Sequence, residues 1–310
     1  MPAAKPDRPP PDVFDALLDG ADAVNAVEWD VQMAAHVTGR DEAEARRLFE
    51  AELKSPGSTV AAEVKRRGIE PFVWSDALLR FYGDSDAFLF ELLGWNRQRY
   101  KRSMRQWSQR FLKKEAERLG RQLTVLCHGD GLGLDAAAFA RDGHRVTYFE
   151  FPGYSEQFAR HWFDMLGHNV EVVTDEKELA GRKFDAVTSF DVLEHVPSPR
   201  EQVATFANLT ADPGGVLLVH APFFLIHKAY PTHLKSNRRY SGSTRLYERA
   251  GYRLLDGNTA WNPLAFRLNG DAGRAGAVKR ALLATVGQGL KAGRVTAAPF
   301  VPLQALLRRV

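Results

Sequence analysis

The sequence predicts an α/β fold: a doubly wound, mostly parallel sheet of seven strands, preceded by a helical N-terminal section. Three observations predict it. From Arg121 onward, short β-branched or apolar runs alternate with helical ones at a spacing of about 20–30 residues, which is the rhythm of βα units in a parallel sheet. The stretch Leu123 to Glu150, LTVLCHGDGLGLDAAAFARDGHRVTYFE, is a strand, a glycine-rich turn, a helix of small residues and a second strand. Before Arg121, apolar residues recur at helical rather than strand spacing.

Residues 1–12, MPAAKPDRPPPD, are proline-rich and predict a disordered arm. Residues 13–120 predict a helical domain or lid. Val13, Leu17 and Leu18 open one amphipathic segment, and Asp41 is placed to cap a helix DEAEARRLFEAELK. Further helices are predicted at Val60–Arg67 and Val73–Phe81. The turn Gly83-Asp84-Ser85-Asp86 then precedes AFLFELLGW. A long basic helix, Asn96 to Leu119, follows. Its Tyr100, Met104, Trp107 and Phe111 share one face and predict a core contact.

Residues 121–268 supply the strands LTVLC, RVTYF, NVEVV, FDAVTSF and GVLLVHA, then a closing pair at Tyr252–Leu255 and Leu264–Arg267. Helices are predicted between them at Leu134–Arg141, Ser155–Leu166 and Pro199–Leu209, with another at Ser243–Ala250. An aromatic, His-rich insertion, PFFLIHKAYPTHLKSNRRYSG, follows the fifth strand. Residues 269–310 form a basic C-terminal extension with scattered apolar residues.

Composition narrows the function classes. Charged residues make up 26% of the chain and apolar ones 45%, as in an ordinary globular protein. The lone cysteine, Cys127, excludes an intramolecular disulfide and a Cys-rich zinc site. The longest nearly apolar run, Val216–Ile226, is too short to span a bilayer, and the N-terminus has no apolar leader core. A cytoplasmic enzyme is the expectation. Positive charge is clustered, with eight Lys/Arg and no acid between Asn96 and Lys114, and seven Lys/Arg and no acid from Arg274 onward. Each cluster fits either a solvated basic face or an anionic partner such as nucleic acid.

The glycine turn carries the first chemical signal. A diphosphate-binding fingerprint would be G-x-G-x-x-G. Here the spacing is Gly129-x-Gly131-x-Gly133, which lets the backbone pass beneath a ligand without a phosphate nest. Glu150, at the end of the next strand, is placed to hold both hydroxyls of a ribose. Further on, FDAVTSFDVLEHVPSP and PGGVLLVHAP carry a stronger signal. With the glycine turn they resemble the motifs of class I S-adenosylmethionine-dependent methyltransferases, in the branch of ubiquinone-biosynthesis O-methyltransferases and other small-molecule enzymes. The resemblance covers about residues 120 to 268 and implies a Rossmann-like sheet with S-adenosylmethionine as cofactor. It implies that Gly129, Gly131 and Gly133 lie under the methionine part and that Glu150 meets the ribose. Phe151 and Asp175 are implied at the adenine, with Ser189, Phe190 and Asp191 bordering the sulfonium. The family's acid two residues before the first glycine is replaced here by Cys127, and Asp130, inside the loop, is the acid available to compensate.

For the transfer step, Asp191, Glu194 and His195 lie on one βα loop at the carboxyl end of the sheet, and His195 is the candidate base. The alternative is that Glu194 and His195 only cap the next helix and brace the loop. One branch of the family binds a divalent metal through an E-x-x-E-H element and a later His. The resemblance extends that ligand set to Asp191, Glu194, His195 and His233. Phe223, Phe224, Tyr230 and Tyr240 of the insertion suit a small aromatic acceptor such as a phenol or quinone-like molecule, with O-methylation favoured. Two alternatives stand beside this: RNA methylation through the basic helix 96–114, and a catalytically inactive partner protein with the same fold. A homodimer is compatible with the chain.

Overall fold

The computed structural model describes residues 24–167, 169–258 and 262–269, together with Pro6 and Leu18. Six helices come first: α1 (Val24–Thr38), α2 (Glu42–Lys54), α3 (Ser58–Arg66), α4 (Asp76–Asp84), α5 (Ala87–Asn96) and α6 (Arg99–Leu119). Then β1 (Thr124–His128), α7 (Leu134–Arg141), β2 (Arg145–Phe149), α8 (Tyr154–Leu166), β3 (Val170–Val173), β4 (Ala186–Phe190), α9 (Pro199–Leu209) and β5 (Val216–His220) follow. The short α10 (Arg245–Glu248), β6 (Tyr252–Asn258) and β7 (Asn262–Leu268) close the fold.

The strands form one sheet in the order β3-β2-β1-β4-β5-β7-β6. β1 to β5 are parallel, and β7 runs antiparallel between β5 and β6. This is a Rossmann-like, mostly parallel seven-stranded sheet, as the sequence predicts. The order reverses at β1/β4, so the loops after those strands open a crevice at their carboxyl ends, where ligands of such sheets bind. Register places Cys127 beside both Tyr148 and Thr188, and Phe190 beside His220.

The core lies on both faces of the sheet. One face packs Val125, Cys127, Tyr148 and Leu218 against apolar residues of α1, α5, α6, α7 and α8, including Trp29, Phe90, Leu112, Phe139 and Trp162. The other face packs Leu126, Val187 and Val219 against Val203 and Phe206 of α9 and Tyr247 of α10. A third, smaller cluster joins Val60, Val64, Leu78 and Phe81 to Leu234 of the insertion. The insertion is also tied to the helical section by backbone bonds: Phe72 N–H donates to Pro231 O (2.6 Å), and Lys235 N–H donates to Phe72 O (3.0 Å).

Several predicted elements shift. Asp41 caps α2 by accepting from Glu44 N–H at 2.8 Å. α4 begins three residues later than expected because Ser75 caps it, accepting from Leu78 N–H at 3.2 Å. The basic helix starts at Arg99, after Gln98 adopts an extended conformation. The predicted segment at Val13–Leu18 lies outside the described residues except for Leu18. α1 had no counterpart in the sequence reading. It is buried along much of its circumference, through Ala26, Trp29, Asp30, Val31, Met33, Ala34 and Ala35, so no polar face marks its period.

Candidate functional site

The glycine loop sits between β1 and α7. Gly129, Gly131 and Gly133 all have left-handed backbones, with φ of 74°, 62° and 73°. A side chain at any of them would also collide. A Cβ would stand 2.5 Å from Val192 Cγ2 at Gly129, 2.7 Å from Leu92 Cδ1 at Gly131, and 2.5 Å from the Phe163 ring at Gly133. Conformation favours glycine at all three positions, and close packing against Val192 and Phe163 adds to it at Gly129 and Gly133, whereas the Leu92 side chain over Gly131 can swing aside.

Glu150 lies at the end of β2 and accepts from Gly131 N–H (2.8 Å) and Phe151 N–H (3.0 Å). Burial raises its pKa, and the two amides partly offset that. Its carboxylate braces the loop while retaining acceptor capacity for a ligand. Phe151 is 59% exposed and meets Phe149 edge to face at 5.5 Å. Asp175 is turned to its own chain, accepting from Lys177 N–H at 3.0 Å. Ser189 is buried at the end of β4, and its Oγ has no hydrogen-bond partner. Asp130 spans the loop and accepts from Asp135 N–H (3.3 Å) and Ala136 N–H (2.7 Å), capping the first turn of α7. It does not occupy the place of the missing acid. That place belongs to the buried Cys127, whose thiol burial pushes well above its ordinary pKa.

Asp191, directly after β4, has a left-handed backbone at φ 59°. Its N–H donates to His220 O at 2.8 Å. Its carboxylate lies 2.6 Å from His220 Nδ1 and accepts from Trp95 Nε1 at 3.0 Å. Burial alone would raise its pKa, but the His220 charge and hydrogen bond bring it below the ordinary value. An ionised Asp191 can only accept, so His220 Nδ1–H donates. Its Nε2 lies 3.1 Å from the Tyr100 hydroxyl. Trp95 and Tyr100 thus bring the helical section onto the carboxyl ends of β4 and β5. The sequence alone singles out neither Trp95 nor the His220–Asp191 pair; the register of Phe190 beside His220 brings Asp191 and His220 to the same edge of the sheet.

Glu194, His195 and His233 form a second cluster, with one ligating atom from each all within 4.8 Å of one another. Asp191, grouped with them by the sequence motif, is engaged with Trp95 and His220 instead. Glu194 is 1% exposed and neither carboxylate oxygen has a partner. Burial, followed by the nearby Asp191 charge, pushes its pKa well above the ordinary range. Burial also lowers His195 to about 4 and His233 to about 3, so both rings are neutral near pH 7. His233 Nδ1 lies 2.7 Å from Leu225 O and must donate to it, which leaves Nε2 with a free lone pair. The Tyr82 hydroxyl lies 3.0 Å from His195 Nδ1. Asn237 Nδ2 clamps the loop from the insertion side, donating to the carbonyls of Leu193, Glu194 and Val196. Neither Glu194 nor His195 caps α9, whose N-cap is Ser198. Their structural alternative as caps is thereby removed.

The basic helix is not a uniform solvated face. Lys101 and Arg105 are buried and share Asp135 of α7, at 2.7 Å each, while Arg97 pairs with Asp30. Arg99, Arg110, Lys113 and Lys114 are exposed. Among the described residues, no helix is long and apolar enough to cross a membrane.

Comparison with known proteins agrees with this geometry. A family model described as a methyltransferase domain matches residues 95–256, just over half of the chain. The ubiquinone biosynthesis O-methyltransferase of Serratia proteamaculans is 36% identical over 96 residues, which is 30% of this chain and 39% of that protein. The protein of the same name from Erwinia tasmaniensis is 36% identical over 95 residues, covering 29% and 39%. The chain thus matches under two fifths of the length of these curated relatives. Among solved structures, a putative methyltransferase from Bacillus halodurans is 22% identical, with 44% of this chain and 64% of that one covered and a TM-score of 0.36. The N-terminal domain of EvdMO1 with S-adenosylhomocysteine bound is 16% identical, with 51% and 78% covered and a TM-score of 0.36. From the family match over the glycine loop, the β2 acid and the β4 loop, the chain belongs to the class I S-adenosylmethionine-dependent methyltransferases.

Proposed function

We propose that the chain transfers the methyl group of S-adenosylmethionine to a hydroxyl of a small organic acceptor, with Glu194, His195 and His233 holding a divalent metal. The observation that carries the reading is the buried Glu194 carboxyl, with both oxygens unpartnered beside two neutral imidazoles. An unpaired buried carboxyl costs stability unless something else occupies the site. A carboxylate with two neutral imidazoles is a donor set for a divalent cation. The cofactor fits as well: Glu150 ends β2 with acceptor capacity to spare, and the glycine loop exposes backbone rather than side chains.

The residues divide the work. Glu150 binds and orients the cofactor. His195, held at about 4, is a weak base and serves better as a ligand than as a proton acceptor. A bound metal would supply Lewis acidity that lowers the acceptor hydroxyl's pKa. Asn237 fixes the loop carrying Glu194 and His195, and Leu225 O sets the His233 tautomer. Phe223, Phe224, Tyr240 and Tyr247 surround a narrow pocket at the end of β5 with about 20 Å³ of open space, so an aromatic acceptor would have to displace some of these side chains. The ubiquinone biosynthesis O-methyltransferases to which the chain is similar favour an oxygen acceptor. RNA as acceptor is disfavoured because the basic helix spends Arg97, Lys101 and Arg105 on internal ion pairs.

The test is metal analysis of the purified protein, with turnover of a catechol acceptor before and after chelation. About one ion per chain is expected, with activity abolished by chelator and restored by a cation that accepts imidazole ligands, such as zinc or manganese. Glu194→Gln should lose the metal and the turnover while S-adenosylhomocysteine still binds. Full activity in metal-free protein would overturn the metal reading.

A further inference from the structure

We infer that Glu91 of α5 takes the proton from the acceptor hydroxyl as the methyl group is transferred. This deepens the hydroxyl-methylation reading above and rests on it.

The contacts of α5 show where Glu91 stands. Phe88, Leu92 and Trp95 form one stripe at i, i+4 and i+7. The Phe88 ring meets His195 edge to face at 6.3 Å, Leu92 lies over Gly131, and Trp95 Nε1 donates to Asp191. All three are turned to the loops after β1 and β4, which open the ligand crevice. Glu91 flanks this stripe, one turn from both Phe88 and Trp95. On its other side Gly94 packs closely on Glu52 of α2. The carboxyl therefore lies between Glu52 and Asp191, and the charges of both reach it. The Tyr82 hydroxyl, 3.0 Å from His195 Nδ1, feels the charges of Glu91 and Glu194 alike. Glu91 thus overlooks the side of the crevice where Glu194, His195 and His233 gather.

The acids around it are otherwise employed. Asp191 is held by His220 and Trp95, and Glu52 accepts from the Gly57 and Thr59 amides. Glu194 is sealed from solvent. Glu91 is only half-buried, and among the described residues it has no hydrogen-bond or ion-pair partner. The groups that face it are Glu52 from α2, Tyr82 from α4, and Asp191, Glu194 and His195 from the β4 loop, with His233 of the insertion beyond. The two imidazoles are neutral near pH 7, so they offer it no counter-charge. Burial, then the charges of Glu52 and Asp191, raise its pKa well above the ordinary carboxylate range. A carboxylate so placed is a better base than a free one.

The transfer needs such a group. As the acceptor oxygen bonds to the methyl carbon, the carbon–sulfur bond breaks and its electron pair stays on sulfur. The oxygen must then shed its proton. The Glu91 carboxylate takes it and becomes a neutral carboxyl, which removes its repulsion with Glu52 and Asp191. Because Glu91 keeps some contact with solvent, the proton can pass on to water, a route closed to Glu194.

Glu91→Gln keeps the shape of the side chain and cannot accept the proton. Turnover of two acceptors by the full chain tests the role: catechol, and a nitrocatechol whose hydroxyl is already ionised at mildly alkaline pH. Glu91→Gln should slow catechol methylation by about a hundred- to ten-thousand-fold, the usual contribution of a positioned base. Nitrocatechol, which has no proton to give up, should turn over nearly as in the parent. Calorimetry should find S-adenosylhomocysteine affinity unchanged. The denaturant midpoint should be equal or higher, because an unpartnered, repelled carboxyl is removed. Glu91→Asp should keep part of the catechol activity. Equal losses for the two acceptors, or a lowered denaturant midpoint with weaker S-adenosylhomocysteine binding, would make Glu91 structural and overturn the inference. Unchanged catechol turnover in Glu91→Gln would overturn it too. A parent that binds S-adenosylhomocysteine but methylates neither acceptor would instead sink the hydroxyl-methylation reading, and this inference with it.

Discussion

On the proposed reading Glu150 has two tasks for one carboxylate, since the oxygens that would meet the ribose already accept the Gly131 and Phe151 amides. Its removal therefore reaches further than a lost ligand contact. Glu150→Ala should weaken S-adenosylhomocysteine by about ten- to a hundred-fold, since a charged acceptor and a loop brace are lost together. Calorimetry reads this directly, and unchanged affinity would mean that the ribose lies elsewhere. Glu150 was legible because its place at the end of the second strand follows from strand length alone. The roles of Asp130 and Asp191 were not. Each is an acid on a loop in the sequence, and only the fold shows that Asp130 caps a helix while Asp191 belongs to His220 and Trp95.

Helices α5 and α6 show what a linear reading misses. Their length and apolar faces were clear, and Met104 is buried as its spacing required. Their charges are not legible locally because the partner of Lys101 and Arg105, Asp135, lies 34 and 30 residues along the chain, beyond any local pattern. The contact of α5 with the sheet passes through Leu92 against Gly131 and Trp95 on Asp191. Trp95→Phe keeps the apolar packing and removes the indole N–H, leaving one Asp191 oxygen without that donor. Asp191 is only partly buried and keeps its His220 contact, so the loss costs about 1 kcal/mol. Hydrogen exchange of the amides in α5 should accelerate several-fold in this variant, with the protection of β1 and β4 unchanged. Exchange identical to the parent would show that the helix is held by packing alone.

At the scale of the molecule, the helical section and the sheet share one hydrophobic core, and a buried ion cluster crosses between them. Burial opposes ionisation of Asp135, but Lys101 and Arg105 prevail and hold it at about 2. Because its folded value is depressed, Asp135 contributes its full stabilisation above about pH 4 and loses it as the pH falls through about 2. Denaturant midpoints measured from pH 5 to 2 should fall across that window. Asp135→Asn should remove this part of the pH dependence and be less stable at neutral pH by about 3–5 kcal/mol, since two buried cations lose their counterion. A variant with the parent's acid profile would place the titration elsewhere. The seven strands were legible because β-branched runs announce themselves, and the binding end followed from their order. The Glu194–His195–His233 cluster was only partly so, because the insertion that brings His233 in has no periodicity to place it.

Cys127 has one more consequence. It is the single thiol of the chain, it sits in an interior strand of the sheet, and it is 1% exposed. A thiol reagent cannot reach it until β1 parts from its neighbours. The rate at which such a reagent labels the protein is therefore a clock for how often the sheet opens. Nature has left one timer in the chain, at the root of the glycine loop, and any ligand that closes the crevice slows it.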